Sequence, residues 1–431
     1  MFFSGKRDYL SEIPLKFRKV IIRNQKQYEI YHEEIKQRFD ISDITYYWEG
    51  IKNLSISKDF VYPCVESLSF PVGSIVGISM EFLPKNLEYL HINNFNGRLE
   101  LGKMERLETL IISNLSELKP GDLPPSLTRL NITGSINCIP DHSLPHQLKS
   151  LTMKLYGEFT EDTLPKSLLH LDLYSYMKSI NHLPPNLTSL SLLPYGNSDW
   201  DMSPGVLPNS IKILKLGEVK SPQLGFLPLE CRYLNIYYLR GPLDRHVLPD
   251  KLKELYIGAI VDVTLKYGVF PEGLEIISMN TQQTPLDINF KFPSTLKRLS
   301  LVGMFNQKLE SLPVGLETLE LGPSFNQPLN CLSGLLSLKT LNIGSAFNQI
   351  LSVTSLPANL LHLTFGSGFN RSLFQGVLPN SLQTLALGTH FRQTESLIII
   401  PNSLTCIRLP YLYEKTYKSF VPSHTKVIII K

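Results

Sequence analysis

One apolar pattern repeats along almost the whole chain, and it constrains the fold more than any other feature. The pattern is L-P-x-x-L-x-x-L-x-L, as in the segments that begin at Leu83, Leu164 and Leu312. Eighteen copies of its proline slot, several of them degenerate, run from Tyr62 to Pro422. The mean spacing of about 21 residues is typical of a solenoid in which each unit contacts only its neighbours.

Each unit has the spacing of one short strand. Leu319 and Leu321 are two residues apart, so both side chains point to the same face of a strand. Leu316 lies three positions before Leu319, which does not fit the strand period. Proline cannot donate a ladder hydrogen bond, so we expect the proline slot just before the strand. The remaining residues are too few for a regular helix with its turns, and the return side should be extended or 3₁₀.

A second element follows the strand in the C-terminal units, where Phe-Asn-Gln or Phe-Asn-Arg occurs in four copies. Phenylalanine at one slot of stacked units predicts a column of rings inside the solenoid. The adjoining asparagines predict a ladder in which each amide bonds the turn backbone of its own or the next unit. A ligand-binding role for the same residues stays open. The residues of this predicted structural ladder are Phe305, Asn306, Phe325, Asn326, Phe347, Asn348, Phe369 and Asn370.

The unit at residues 312–329, LPVGLETLELGPSFNQPL, resembles the FNIP repeat, which is related to leucine-rich repeats. The resemblance is strong over residues 290–400 and extends in degenerate form over most of 80–425. It implies a mostly β, leucine-rich-repeat-like, right-handed solenoid of about 18 short coils with a parallel sheet, over residues 61–431. It also implies an interaction protein, and some members of the family carry an F-box or a kinase domain before the repeats.

Residues 1–60 are predicted to form an N-terminal cap that contains one short helix. The helix is predicted over residues 25–39, because the apolar residues there share one face of a helix. A helix at this place would cover the open end of the solenoid. Two alternatives stay open for the segment 1–45. It has the length of an F-box-like module, whereas Pro14, Phe17, Val20 and Ile22 match the repeat template and favour a first coil.

Composition and motifs argue against several classes of function. The formal net charge is only +4, so we expect no nucleic-acid partner. The sequence has neither a long apolar run nor a signal-peptide pattern, so we expect no membrane association and a cytoplasmic location. The five cysteines are widely spaced, and no zinc, nucleotide or nucleophile motif occurs. We therefore expect no enzyme activity, no metal and no cofactor.

The register of the repeat identifies the strand side chains that point away from the core. Toward the N terminus these positions carry tyrosine, histidine and arginine, whereas the C-terminal ones are mostly small, such as Thr318 and Thr340. Tyrosine and arginine are enriched in protein interfaces. We therefore predict a partner-binding surface, with a merely solvated sheet face as the alternative. The predicted contact residues are Tyr89, His91, Arg129, His170, Asp172, Tyr174, Tyr233, Tyr237 and Tyr256.

The last unit predicts an edge strand at residues 427–430, VIII. An open apolar edge invites pairing with another chain, so self-association through this edge is possible unless the preceding loop covers it. Three functions stay open. The chain is a non-enzymatic scaffold that binds an unknown protein partner, a substrate-recognition adaptor of a ubiquitin ligase with a degenerate F-box-like N terminus, or a self-assembling structural protein.

Overall fold

The fold is described from a computed structural model. It describes residues 19–23, 26–27, 42–47, 65–72, 83–95, 97–193, 200, 202–261, 265–281 and 290–430. The chain divides into two compact units, which are treated separately below. The first unit comprises Met1–Asp201 with Val206–Ile211, and the second comprises Met202–Gly205 with Lys212–Lys431.

Among the described residues, the first unit contains nine short strands that pair in chain order, each parallel to the next. The ladders join equivalent positions of successive repeats, so that Leu90 pairs with Leu110 and Leu110 with Leu130. The strands are β1 (Lys19–Ile22), β2 (Asp43–Tyr47), β3 (Ser67–Val72), β4 (Tyr89–Ile92), β5 (Thr109–Ile112), β6 (Arg129–Ile136), β7 (Ser150–Leu155), β8 (His170–Tyr174) and β9 (Ser189–Leu193).

In the described part of the second unit, eleven strands follow the same parallel order. They are β10 (Ile213–Lys220), β11 (Tyr233–Arg240), β12 (Glu254–Val261), β13 (Ile276–Thr281), β14 (Arg298–Gly303), β15 (Thr318–Leu321), β16 (Thr340–Ile343), β17 (His362–Phe365), β18 (Thr384–Ala386), β19 (Cys406–Pro410) and β20 (Lys426–Ile430). Where the second unit is described, three-residue 3₁₀ turns occur at Asn330–Leu332, Glu395–Leu397, Tyr411–Tyr413 and Tyr417–Ser419.

The coil at residues 312–321 shows how the repeat sequence forms each turn of the solenoid. The carbonyl of Pro313 accepts a hydrogen bond from the N–H of Leu316 at 3.1 Å, which closes a tight turn before β15. The N–H groups of Glu317 and Thr318 both donate to the carbonyl of Lys297 in the preceding coil, at 2.8 and 3.0 Å. This shared carbonyl brings the chain into register with its neighbour, and the proline needs no ladder bond of its own.

The core lies on one side of the strands. Leu316, Leu319 and Leu321 are buried, whereas Thr318 is half-buried and Glu320 is exposed. The same alternation of buried and accessible residues recurs in strands of both units, for example β4 and β16. Burial of the leucines at each slot is what makes the repeat fold, since one unit alone has no partner for its apolar face.

The predicted fold class is confirmed, because the chain is a leucine-rich-repeat-like β solenoid with parallel strands. The eighteen proline slots correspond to β3–β20. Two further strands, β1 and β2, pair in front of β3, so the strands begin inside the segment that was predicted to cap the solenoid. The helix predicted over residues 25–39 lies outside the described residues except for Lys26 and Gln27, whose backbone is helical.

Candidate partner-binding surface

Every coil presents three side chains to the outer face of its strands, the face opposite the core. Row A is the residue just before the strand, row B is the first strand residue, and row C lies two residues later. In β15 these residues are Glu317, Thr318 and Glu320. Because the parallel ladders join equivalent positions, members of one row lie side by side on neighbouring strands, which are about 4.8 Å apart.

The six predicted contact residues of the first unit all lie on its outer face, but they are spread over it. Tyr89, Arg129 and His170 belong to row B of β4, β6 and β8. A strand with a small row B residue separates each from the next. His91 and Asp172 belong to row C, and Tyr174 ends β8. The structure therefore does not gather these six side chains into one cluster.

Polar contacts hold two of these side chains, and burial affects a third. His91 Nδ1 lies 3.1 Å from Ser69 Oγ, and burial lowers the pKa of the imidazole. Asp172 Oδ2 accepts a hydrogen bond from Thr152 Oγ1 at 3.4 Å. Burial, and after it the charge of Asp43, raises the pKa of Tyr89. These contacts explain how polar residues stay half-buried between neighbouring strands.

The tyrosines of the second unit do come together. The rings of Tyr233 and Tyr256 are 5.2 Å apart with planes inclined by 33°. Tyr256 Oη donates to Glu254 Oε2 at 3.1 Å, and the pKa of Tyr256 is raised mainly by burial and then by this hydrogen bond. Tyr237 lies near the other end of β11, where it and Tyr238 are exposed. The ring pair is therefore a two-residue aromatic cluster on the outer face.

Four neighbours of this tyrosine pair were missed by sequence reasoning. Ile213 lies opposite Tyr233 in row B and is 43 % exposed, although it is apolar. Three cations flank these two residues in rows A and C, and none forms an ion pair with any residue that the structure describes. We call the cluster the β10–β12 patch, and it consists of Lys212, Ile213, Lys215, Arg232, Tyr233 and Tyr256.

The repeat register contained the signal that could have found these four residues. Reading the outward positions unit by unit shows three units in a row with cations at row A: Lys212, Arg232 and Lys253. The sequence analysis selected tyrosine, histidine and a few charged residues at rows B and C, and it did not consider row A. Row A matters because its side chains border the same outer face and line a groove over the starts of β12 to β15.

A groove of about 390 Å³ lies over the starts of β12 to β15, next to the patch. Glu275 lies between two lysines of row A, accepting from Lys253 Nζ at 3.1 Å and Lys297 Nζ at 2.8 Å. The hydrogen bond from Lys297, followed by that from Lys253, holds the pKa of Glu275 below its usual value. The groove is lined by three basic, three acidic and two uncharged residues: Lys253, Glu254, Glu275, Ile276, Lys297, Arg298, Glu317 and Thr318.

The outer faces of the two units differ in charge. In rows A to C of the described residues, the first unit has three basic and five acidic side chains. The second unit has nine basic and four acidic side chains in the same rows. The positive excess of the second unit is concentrated at its first two strands, since the groove itself is balanced.

Within the described ranges, no group of three or more histidine, cysteine, aspartate or glutamate side chains is arranged to hold a metal ion. Burial raises the pKa of the Cys231 thiol to about 12, which makes this cysteine a poor nucleophile. In the same part of the chain, no helix is long and apolar enough to cross a membrane.

The phenylalanines of the C-terminal coils lie on the return side and not on the outer face. Neighbouring rings stack with centroids 6.0–6.3 Å apart and with planes inclined by at most 16°. All are buried, so the column is part of the core. Its members are Phe305, Phe325, Phe347, Phe369 and Phe391.

The asparagines connect one coil to the next along this column. The Oδ1 atoms of Asn306, Asn326 and Asn348 accept from the backbone N–H of the asparagine one coil later, at 2.8–3.0 Å. Asn370 accepts in the same way from the N–H of Arg392 at 2.9 Å. The glutamine or arginine that follows the later residue donates to the carbonyl of the preceding coil's asparagine, at 2.8–3.2 Å. Sequence reasoning did not include these glutamines.

The family model of the FNIP Repeat matches residues 114–155, 305–333, 336–368 and 369–412. We call these four matching segments the FNIP segments. The resemblance inferred from residues 312–329 is thereby confirmed, and the last three FNIP segments contain the column of rings and its asparagines.

A solved structure shows a similar fold. The structure of CroV588, described as a novel circular leucine-rich-repeat protein, is similar with a TM-score of 0.55 and 22 % sequence identity, over 90 % of this chain and 72 % of that one. The structure of the TLR13–ssRNA13 complex is similar with a TM-score of 0.45 and 15 % identity, over 86 % of this chain and 66 % of that one. No curated protein matches the chain significantly in sequence.

The FNIP segments and the β10–β12 patch occupy different parts of the chain. The patch lies at residues 212–256, between the first FNIP segment and the other three. Its strands still follow the leucine pattern, with Leu214 and Leu234 buried and in register. The patch is therefore built on ordinary coils of the solenoid whose outer residues differ from those of the FNIP segments.

Proposed function

We propose that the chain is a non-enzymatic scaffold that binds a protein partner through the outer face of its strands. The observation that carries the proposal is the β10–β12 patch. It combines two tyrosines whose rings pack at a tilt and an exposed isoleucine with three cations, on strands that are joined by parallel ladders. Tyrosine, arginine and accessible apolar side chains are the residue types that dominate binding energy in protein interfaces.

The leucine-rich-repeat-like fold supports a binding role, since stacked coils present a long continuous face to a partner. Nothing in the described residues resembles a catalytic site, and the one strongly shifted thiol, Cys231, is buried. In rows B and C, the outer face of β15 to β18 carries mostly small residues, so it provides the positions of the control variant.

The test is quantitative capture of partners from the native cell extract by tagged full-length chain. We compare wild type with Tyr233→Ala/Tyr256→Ala and with the matched variant Thr318→Ala/Thr340→Ala. We expect the wild-type chain and the threonine variant to capture a protein that the tyrosine variant does not capture. After purification, that protein should bind the wild-type chain directly. Equal capture by all three chains would show that the patch is not the binding surface.

Most of residues 1–45, the segment with the length of an F-box-like module, lies outside the described residues. Self-association is a second candidate, since one observation favours it. Among the described strands, β20 pairs only with β19, and its residues Val427 to Ile430 are half-buried. The N–H of Lys426 points to the preceding coil. Because N–H groups alternate along a strand, that of Ile429 points to the free edge.

Ile429→Pro tests self-association, because it removes a donor from the free edge and keeps the ladder to β19. Molar mass by light scattering is measured for wild type, for this variant and for Val353→Pro, an exposed position away from the edge. A wild-type dimer that Ile429→Pro alone converts to monomer would support assembly through this edge. A wild-type chain that is monomeric throughout would refute it.

A further inference from the structure

The β10–β12 patch carries charges that the described part of the chain does not balance. Lys212, Lys215 and Arg232 lie on two neighbouring strands and form no ion pair with a described residue. Neighbouring strands in a sheet are about 4.8 Å apart, so like charges on adjacent strands repel each other. The cluster is therefore a site where an added anion relieves repulsion and gains attraction.

The nearby carboxylates are already engaged. Glu230 is held by Lys251, and this hydrogen bond is the main reason that the pKa of Glu230 is lowered; the charges of Arg232 and Lys212 lower it further. Glu254 accepts the hydroxyl of Tyr256. These carboxylates reduce the positive charge around the patch without forming ion pairs with its three cations.

An apolar strip lies between the cations. Ile213 and Tyr233 are in register in row B, and the ring of Tyr256 packs against that of Tyr233. Lys212 and Arg232 lie on one side of this strip in row A, and Lys215 lies on the other side in row C. The arrangement therefore offers an apolar seat with cations on both sides.

We propose that this patch docks an extended acidic segment of a protein partner, with its carboxylates on Lys212, Lys215 and Arg232 and an apolar side chain on Ile213, Tyr233 and Tyr256. The inference rests on the proposed scaffold function and specifies the chemistry of the partner. Two features favour a peptide over a nucleic acid. The apolar strip suits an aliphatic or aromatic side chain, and Glu254 beside it would repel a phosphate backbone but can accept a peptide N–H.

The probe is a short fluorescein-labelled peptide of alternating glutamate and leucine, and its binding to the full chain is followed by fluorescence anisotropy. We expect saturable binding that weakens about tenfold or more in Lys212→Glu/Arg232→Glu. The matched control, Lys308→Glu/Lys415→Glu, changes the net charge by the same amount at exposed positions outside the patch and should bind as wild type. The affinity of the neutral variant Lys212→Gln/Arg232→Gln should lie between that of wild type and that of Lys212→Glu/Arg232→Glu.

Three results would overturn the proposal: equal weakening by the control variant, equal binding of a glutamate–serine peptide, or an oligouridine that binds as tightly as the acidic peptide. Circular dichroism of each variant establishes that the fold is retained, and because the substituted side chains are exposed we expect unchanged spectra. If the Tyr233→Ala/Tyr256→Ala variant loses the captured partner while the charge variants keep it, the scaffold function stands and this inference fails. If no partner depends on the tyrosines, the proposed function itself fails.

Discussion

The first unit and the C-terminal coils of the second unit build their strands alike but close the return side of each coil differently. In the second unit, Phe325 and Phe347 each follow the last strand leucine or isoleucine by four residues, so that the rings stack in a column. In the first unit this spacing varies. Phe95 and Leu115 come three residues after the strand, whereas Ile136 comes four residues after Ile132. All three are buried, but they do not form an aromatic column.

Asparagine also has a different task in each unit. Asn94 and Asn114 of the first unit have φ angles of 49° and 62°, and Asn114 Nδ2 donates to Asn94 Oδ1 at 2.9 Å. Asparagine tolerates this left-handed backbone better than most residues and shortens the turn there. In the second unit, by contrast, Asn348 accepts a backbone N–H from the next coil. A repeat thus stacks identical side chains only where its turns keep a constant length.

The largest expected effect comes from breaking the ring column. Phe347→Ala removes a buried ring between Phe325 and Phe369 and should cost about 3–5 kcal/mol in free energy of unfolding, because the cavity cannot close without breaking the stack. Urea titration measures the loss. Ile350→Ala is the control, since this side chain is 76 % exposed and should cost less than about 0.5 kcal/mol. Equal losses would mean that the column does not support the second unit.

A smaller effect is expected from the asparagine ladder. Asn348→Ala leaves the N–H of Asn370 without its acceptor, and should cost about 1–2 kcal/mol. The substitution keeps the N–H that Asn348 donates to Asn326. Asn342→Ala, in row C of β16, is the matched control and should lie within about 0.5 kcal/mol of wild type. A loss as large in the control would show that the amide contacts add nothing specific.

The fold could be predicted from the sequence because one leucine at each slot fixes both the strand and its register. A pair of leucines two residues apart, such as Leu319 and Leu321, buries one face of a strand. The proline before the pair lies in the turn that precedes the strand. The N-terminal strands were harder to predict. The β2 strand, DITYY, has no proline slot before it, and only its pairing with β3 assigns it to the sheet.

The binding surface was less predictable for a physical reason. Register shows which way Tyr233 points, but contact with Tyr256 depends on rotamers and on neighbours such as Glu254. The cations of row A were overlooked because they precede the strand, where a period of two no longer applies. Their importance emerges only when adjacent coils are placed side by side.

The smallest effect is expected from substitutions of the glutamates in row A, one in each unit. Glu275 in row A of the second unit lies between Lys253 and Lys297, whereas Glu88 in row A of the first unit lies between Glu66 and Glu108. Glu275→Gln should therefore lower the urea midpoint at pH 7, and Glu88→Gln should raise it slightly, because opposite charges attract and like charges on adjacent strands repel.

The pH dependence of this pair follows from the same contacts. Since the folded-state pKa of Glu275 is lowered, its contribution is complete above the unfolded value of 4.5 and is lost as the pH falls through the folded value. The difference in stability between wild type and Glu275→Gln should therefore become progressively smaller below pH 4.5. At about 1 M salt, where the screening length is about 3 Å, both differences should become smaller. Shifts of the same sign in the two variants would contradict the electrostatic contrast between the units.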